Sequence, residues 1–519
     1  MPSAELSSQR ANLPTDEEQV LDALSTEHLQ PDLKRRSVRG GLMTLTSQGT
    51  QFLILSVSTV VLARLLTPTD FGLVAMVGAI TGLGQAFADL GLSEATIQRK
   101  DITHDQISAL FWTNGAIGLA LTLITAALAP VLARFYREPK LIEITLALSL
   151  TFLIGGLRVQ ADALLKRQMR FSSLAVRDIA SSAIAVCVAI VTAKEGLGYW
   201  ALVALPLTLN LVQMALSWLM VNWKPSLPRR DANVGSMIAF GGNVAASYLM
   251  MNLNRSADNI LIGWHLGATP LGLYSRAYNL LMLPVRQLSL PITSVAVPAF
   301  SRIQGDPERF ARYYLRATNL IMWISAPVFG FLLVAAEPVI VLTLGHQWRG
   351  AAPVFQILVI SALGQLLFDT TIWLFVSRGQ SRRLLRLLLV VSPIIVGSFA
   401  LGLPFGINGV ALSGSLVLIA LLPWVLKFSF RGTTLSLRRL GRALLCPVAA
   451  SMAGAIVSEG ALHLIAPERI FSQLLVVALG FAGAFLLLAL VPSVRDEVSS
   501  FRNLLSELQL SSGATSSVT

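Results

Sequence analysis

Arg276 and Arg286 stand in a stretch, 270–298, that is otherwise long and apolar enough to cross a bilayer. Ten residues apart, they would lie about 15 Å from each other along one helix. A guanidinium in hydrocarbon is costly, so it is retained where it lines a watery path, meets a carboxylate or snorkels to an interface. The chemistry it offers is non-covalent: a permanently charged, planar fork that grips phosphate or carboxylate bidentately. Arg255 and Asp258 sit near the end of the preceding apolar stretch, and Asp89 and Asp369 lie in two others. These acids are candidate ion-pair partners for the arginines or candidate site residues themselves. Arg64 lies off the polar stripe of its own stretch and reads as a helix-end anchor.

Uncharged polar residues fall into stripes at helical spacing. Thr44, Ser47, Gln48, Gln51 and Ser58 share one face of the first apolar stretch. Asn243, Ser247, Asn254 and Asp258 do so in the seventh, Thr81, Gln85 and Asp89 in the second, and Ser361, Gln365 and Asp369 in the tenth. An unpaired amide or hydroxyl in hydrocarbon costs several kcal/mol. Such stripes must meet another helix or water. We expect a wet central cavity whose binding residues are Arg276, Arg286, Arg255, Asp258, Asp89, Asp369, Gln48, Gln51, Asn243 and Gln85. No catalytic or metal-ligating set accompanies them, and no cofactor is expected. GxxxxGK followed by Ser or Thr is absent, HExxH is absent, and the five histidines are scattered. Cys187 and Cys446 sit in apolar runs and argue for neither a disulfide nor a metal. Transport energy would come from H⁺ or Na⁺, from the membrane potential, or from the substrate's own gradient.

The elements that must position these residues are membrane helices. Of the 519 residues 54% are hydrophobic and 13% charged, against about 25% charged in soluble domains. Runs near the ~20 residues a bilayer demands fall at 41–63, 71–92, 107–133, 141–161, 174–193, 197–221, 235–256, 270–298, 317–341, 352–376, 384–403, 408–430, 441–462 and 471–491. The expectation is an all-α polytopic membrane protein of about 14 transmembrane helices. With the N-terminus inside, 28 of the 40 Lys and Arg, among them Lys166, Arg167, Arg170 and Arg177, fall on the cytoplasmic side and 8 on the other. That asymmetry sets the orientation, with both termini cytoplasmic. It also assigns the net charge of +12 to topology and anionic headgroups rather than to nucleic acid. The acid-rich first residues lack a signal-peptide pattern.

The chain also repeats itself. At an offset of two hundred, Gly41 matches Gly241, Leu66 matches Leu266, Thr69 matches Thr269, and Gly72-Leu73 matches Gly272-Leu273. At two hundred and ten, Gly196-Leu197 with Ala201-Leu202 matches Gly406-Ile407 with Ala411-Leu412. We read a cytoplasmic tail (1–35), an N-lobe (36–222) and a homologous C-lobe (223–432), each of six helices. An additional helix pair (433–492) and a second cytoplasmic tail (493–519) follow.

Several stretches carry a resemblance: ARLLTPTDFGLVAM (63–76), DLGLSEATIQRKD (89–101), LLKRQMRF (164–171), GLGYWALV (196–203), DNILIGWHLGATPLGLYSRAYNL (258–280) and LGHQWRGAAPVFQIL (344–358). Together they resemble the polysaccharide transporter family, in particular Wzx-type flippases like the colanic acid exporter. These lie within the multidrug/oligosaccharidyl-lipid/polysaccharide flippase superfamily. The likeness runs over roughly 35 to 490. It implies a V-shaped, alternating-access transporter in a bacterial inner membrane. The implied cargo is an undecaprenyl-pyrophosphate-linked oligosaccharide repeat unit. It would be moved to the periplasmic leaflet for exopolysaccharide, capsule or O-antigen synthesis, with the polymerase machinery as a further partner. The family's motifs are mostly loop and helix-end residues and transfer no binding role onto Arg276 or Arg286. Two competing readings are a cation-coupled multidrug antiporter on the same architecture and a membrane-embedded polymerase or glycosyltransferase. The antiporter predicts cavity carboxylates without nearby arginines. The enzyme predicts a long extracytoplasmic loop, and every loop here is short.

Overall fold

The computed structural model describes residues 33–88, 102–227 and 256–488, with Ser93, Thr96 and Ile97 between the first two spans. Every regular element among them is helical. The first six helices are α1 (Leu33–Leu65), α2 (Pro68–Ala88), α3 (His104–Tyr136), α4 (Leu141–Arg167), α5 (Phe171–Lys194) and α6 (Trp200–Met220). Residues 256–266 form α7. Then come α8 (Ala268–Arg302), α9 (Pro307–Val334), α10 (Ala336–Thr343), α11 (Ala352–Ser377), α12 (Ser381–Gly402), α13 (Gly406–Ser429), α14 (Leu437–Ile465) and α15 (Ile470–Leu488). Nine stretches of the described residues are long and apolar enough to cross a membrane. One of these, Ser381–Ser429, is two helices joined by a short 3₁₀ turn. The expected seventh segment, 235–256, lies outside the described residues but for its last position. The expected segment 317–341 is two helices, because α9 stops at Val334 and Pro338 takes an early position in α10, where its missing N–H costs nothing.

Local chemistry sets the helix ends. Thr103 caps α3 with a capping box: its hydroxyl accepts the Gln106 N–H at 3.3 Å, and Gln106 Oε1 accepts the Thr103 N–H at 3.2 Å. Asp306 caps α9 ahead of Pro307, and Ser436 caps α14 through the Arg439 N–H. Thr103→Ala should cost about 1 kcal/mol, read as a lower midpoint in a denaturation of the purified protein. An unchanged midpoint would mean that packing alone sets the start of α3.

The chain divides into two compact units, Met1–Gly272 and Leu273–Thr519. In the first, α3 packs on α4, α5 on α6, α4 on α6 and α1 on α5. The α3–α4 crossing is a backbone contact. A Cβ at Gly156 would lie 2.5 Å from the Asn114 carbonyl oxygen, and one at Gly118 2.6 Å from that of Phe152. Small residues of this kind let membrane helices approach without a hydrophobic driving force. An aromatic cluster of Phe111, Trp218 and Trp223 closes one end, and two indoles pin the extended residues 221–227 there. The Trp223 indole donates to His104 Nδ1 at 3.0 Å, and that of Trp112 to the Ser226 carbonyl at 2.8 Å. In the second unit α9 packs on α11, α12 on α13, and α11 on α13, the same order of partners as α3–α4, α5–α6 and α4–α6. The pair α14–α15 adds to α9, where Phe481 seats against Gly330 and Gly454.

Repeat-related positions behave alike in detail. Gly196 before α6 has φ +77° and Gly406 at the start of α13 has φ +71°, a left-handed conformation that suits glycine. Within the first unit, the beginning of α2 also touches its own counterpart at the beginning of α8. Thr69 Oγ1 and Thr269 Oγ1 share a 2.7 Å hydrogen bond. A Cβ on Gly72 would overlap the Ala268 carbonyl oxygen, and one on Gly272 would overlap that of Pro68. Each contact repeats with the two copies exchanged, so this local meeting is twofold in character.

Candidate functional site

Helices α4, α5 and α6 of the first unit carry a charged network among apolar side chains. Arg158 and Asp162 lie one turn apart on α4, with Nε and Oδ2 3.2 Å from each other. Arg177 on α5 bridges outward from this pair: its Nη1 meets Asp162 Oδ1, and its Nη2 donates to Asp178 Oδ1 at 2.6 Å. From α6, the Ser217 hydroxyl donates to Asp162 Oδ1 at 2.6 Å and accepts from Arg177 Nη1 at 3.0 Å. Gln213 accepts from Arg158 Nη1. The Arg177 side chain is 8% exposed and that of Asp162 16%. Two arginines and two aspartates sum to zero charge, which is the condition for keeping ions in so dry a place.

Gln51, expected in a cavity, reaches this network from α1. Its amide donates to Ser182 Oγ at 3.1 Å and to the Asp178 carbonyl at 3.4 Å. Other members of the same stripe settle locally: Thr44 bonds back to the Gly40 carbonyl, and Ser47 and Ser58 are buried. Gln48 is exposed. Asp258 on α7 is buried, and its carboxylate accepts the Asn259 N–H at 2.7 Å. In the second unit Arg276 is half-buried on α8. On α11, Gln365 donates to Asp369 at 3.0 Å, which joins Asp369 of the expected set to a neighbour on its own polar stripe. Asp89, Asn243 and Arg255 lie outside the described residues, as do the side chains of Gln85 and Arg286, whose backbones belong to α2 and α8.

Sequence reasoning missed most of the network. It counted Arg177 among the topology-setting charges with Lys166, Arg167 and Arg170. In the structure Arg177 is buried on α5. Arg167 Nη1 donates to the Thr96 carbonyl at 2.9 Å, and Arg170 Nη1 to that of Met220 at 2.7 Å. The signal was available: Arg158 and Asp162 are opposite charges at i,i+4 within an apolar run.

The network and α8 both fall within residues 61–353, which match the polysaccharide biosynthesis protein family. The chain belongs to that family. Curated relatives include the teichuronic acid biosynthesis protein TuaB of Bacillus subtilis, 25% identical over 68% of this chain and 73% of TuaB. The lipopolysaccharide biosynthesis protein WzxC of Escherichia coli is 26% identical over 58% of this chain and 62% of its own length. The succinoglycan biosynthesis transport protein ExoT of Rhizobium meliloti is 26% identical over 62% and 65%. The matched part is thus under two thirds of WzxC and of ExoT. Among solved structures, the lipid II flippase MurJ in an inward closed conformation matches 87% of this chain and 99% of its own, with TM-score 0.68 and 12% identity. An inward-facing multidrug MATE transporter matches 74% and 96%, with TM-score 0.58 and 16% identity. This member of the polysaccharide biosynthesis protein family is therefore a multi-pass membrane protein with the fold shared by those transporters.

Proposed function

We propose that the chain is a flippase that carries an undecaprenyl-pyrophosphate-linked oligosaccharide from the cytoplasmic to the periplasmic leaflet of a bacterial inner membrane, working by alternating access between two lobes. The observation that supports it most is the fold shared with a lipid II flippase over 87% of the chain, in a member of a polysaccharide biosynthesis family. The physics suits that cargo. A polyprenyl tail stays in lipid while the sugars cross, and each sugar hydroxyl needs a polar partner that hydrocarbon lacks. A pyrophosphate needs positive charge, which Arg276 and Arg286 would supply bidentately. If the headgroup crosses as roughly a dianion, an inside-negative potential drives it outward with about 2.3 kcal/mol per charge per 100 mV. The role is transport rather than catalysis.

Reconstitution in liposomes with a fluorescent lipid-linked oligosaccharide tests the reading, and leaflet exposure no faster than in empty liposomes would refute it. Arg276→Ala and Arg286→Ala are each expected to lower export at least tenfold with protein level maintained, a loss of about 1.4 kcal/mol or more. Wild-type export from both would remove them from the pathway. The MATE likeness favours a second reading, a cation-coupled drug antiporter. It predicts proton- or sodium-driven efflux of cationic dyes from the same liposomes, and the flippase reading predicts none.

A further inference from the structure

At one end of the second unit, three arginines from two connections gather, two of them on a single ring. Arg383, in the first turn of α12, lies 5.4 Å from the Phe428 ring centroid, and Arg431, just past α13, lies 5.7 Å from the same ring. Arg383 is held in place by the Gln380 side chain at 2.8 Å and by the Phe428 and Arg431 carbonyls at 3.2 and 3.3 Å. Arg378 donates to the Gly432 carbonyl at 2.9 Å. Gly432 has φ +79°, so the turn that presents these carbonyls is shaped for glycine. Among the described residues no carboxylate lies within ion-pair distance of Arg378, Arg383 or Arg431, and the Arg431 guanidinium donates no hydrogen bond, its backbone N–H alone reaching the Phe428 carbonyl.

Two features separate this cluster from ordinary topology-setting charge. Topology needs a number of positive residues on one side but not their convergence. Here backbone carbonyls fix Arg378 and Arg383, one ring is shared by Arg383 and Arg431, and the Arg431 guanidinium has donors to spare. The helix context of Arg383 is also inverted. The positive end of a helix favours acids, yet the first turn of α12 contains Arg382 and Arg383 and no acid. The first turn of α14 nearby in sequence likewise holds Arg438 and Arg439 and no acid. Burial, and after it the neighbouring Arg383, holds the Arg378 guanidinium below its usual range. One cation set against a helix dipole, with two more beside it, leaves a site that an outside anion would complete.

We propose that the Arg378–Arg383–Arg431 cluster docks the diphosphate of a lipid-linked substrate in the cytoplasmic leaflet before it is transported. The substrate and the orientation rest on the flippase reading and on the Lys and Arg asymmetry. A diphosphate suits the site better than a phospholipid headgroup, since a phosphodiester offers a single negative charge to several fixed guanidiniums.

The test uses the full chain in phosphatidylcholine nanodiscs, titrated with undecaprenyl diphosphate and read by native mass spectrometry. Arg431→Gln breaks no hydrogen bond and should weaken binding about tenfold, the effect of losing one charge-assisted contact. Phe428→Leu should weaken it as well without changing the charge. Arg302→Gln removes an exposed charge of the same unit and should leave binding within about twofold. Millimolar inorganic pyrophosphate should compete, and phosphatidylglycerol at equal concentration should not. The site is refuted if Arg302→Gln matches Arg431→Gln, if phosphatidylglycerol displaces the probe, or if pyrophosphate leaves it in place. Liposome transport separates the two readings. Binding intact with no flipping overturns the flippase alone, and flipping intact with Arg431→Gln binding unchanged overturns the docking site alone.

Discussion

Asp162→Ala is expected to destabilise the protein by on the order of 3–5 kcal/mol, the cost of stranding a buried charge by removing its partner. Asp162 takes Arg177 and the Ser217 hydroxyl on one oxygen and faces Arg158 with the other. Its loss leaves two guanidiniums on α4 and α5 with Asp178 alone to balance them. Asp178→Ala should cost less, because its side chain is 27% exposed and pairs with Arg177 alone. Exchanging Asp162 and Arg177 together for apolar residues of similar volume should recover most of the loss. Denaturation midpoints of purified protein decide the matter. A cost below about 1 kcal/mol for Asp162→Ala would mean that water reaches the network and screens it. The paired apolar variant has a second use: if it is stable yet transports nothing, the network serves the cargo as well as the fold.

Alanine at Gly72 or at Gly272 should each lower stability by about 3 kcal/mol, the upper range for overpacking. Each new methyl group falls on a backbone carbonyl oxygen, Ala268 or Pro68, and a backbone cannot rotate aside as a long side chain can. The beginnings of α2 and α8 must part, and the Thr69–Thr269 hydrogen bond goes with them. The diagnostic result lies in the double variant. Once one methyl group has opened the gap, the second enters cheaply, so the pair should cost clearly less than the sum. Strict additivity would show that the two glycines do not share one contact. Thr69→Val, by contrast, removes one exposed hydrogen bond and should cost no more than about 1 kcal/mol.

The helices were legible because nearly every apolar run is one. What was hard to read was where a run is broken. Pro338 sits inside the run 317–341 and marks the restart of a helix, but a proline within a membrane segment reads equally well as a tolerated kink. Residues 256–266 went unrecognised as helix because Arg255 and Asp258 look like the end of a span. Asp258 is in fact buried. The site was harder still. A polar stripe announces that it needs a partner but not which one. Gln51 finds α5, a hundred and thirty residues away, and no local pattern encodes that distance. Arg177 was misjudged because its charge suited a topology count, although Asp178 beside it already marked a local pair.

The twofold meeting of the beginnings of α2 and α8 accounts for the part of the internal likeness that falls there. Thr69 cannot change without altering what Thr269 bonds to, and neither Gly72 nor Gly272 can acquire a side chain without striking the other copy's backbone. A substitution in one copy of this segment is thus felt by the other at these positions. A few residues further on, where no such mutual check operates, Met76 in one half stands against Arg276 in the other. A duplicated segment that packs on its own copy should keep its likeness at the touching residues and take up new chemistry beyond them.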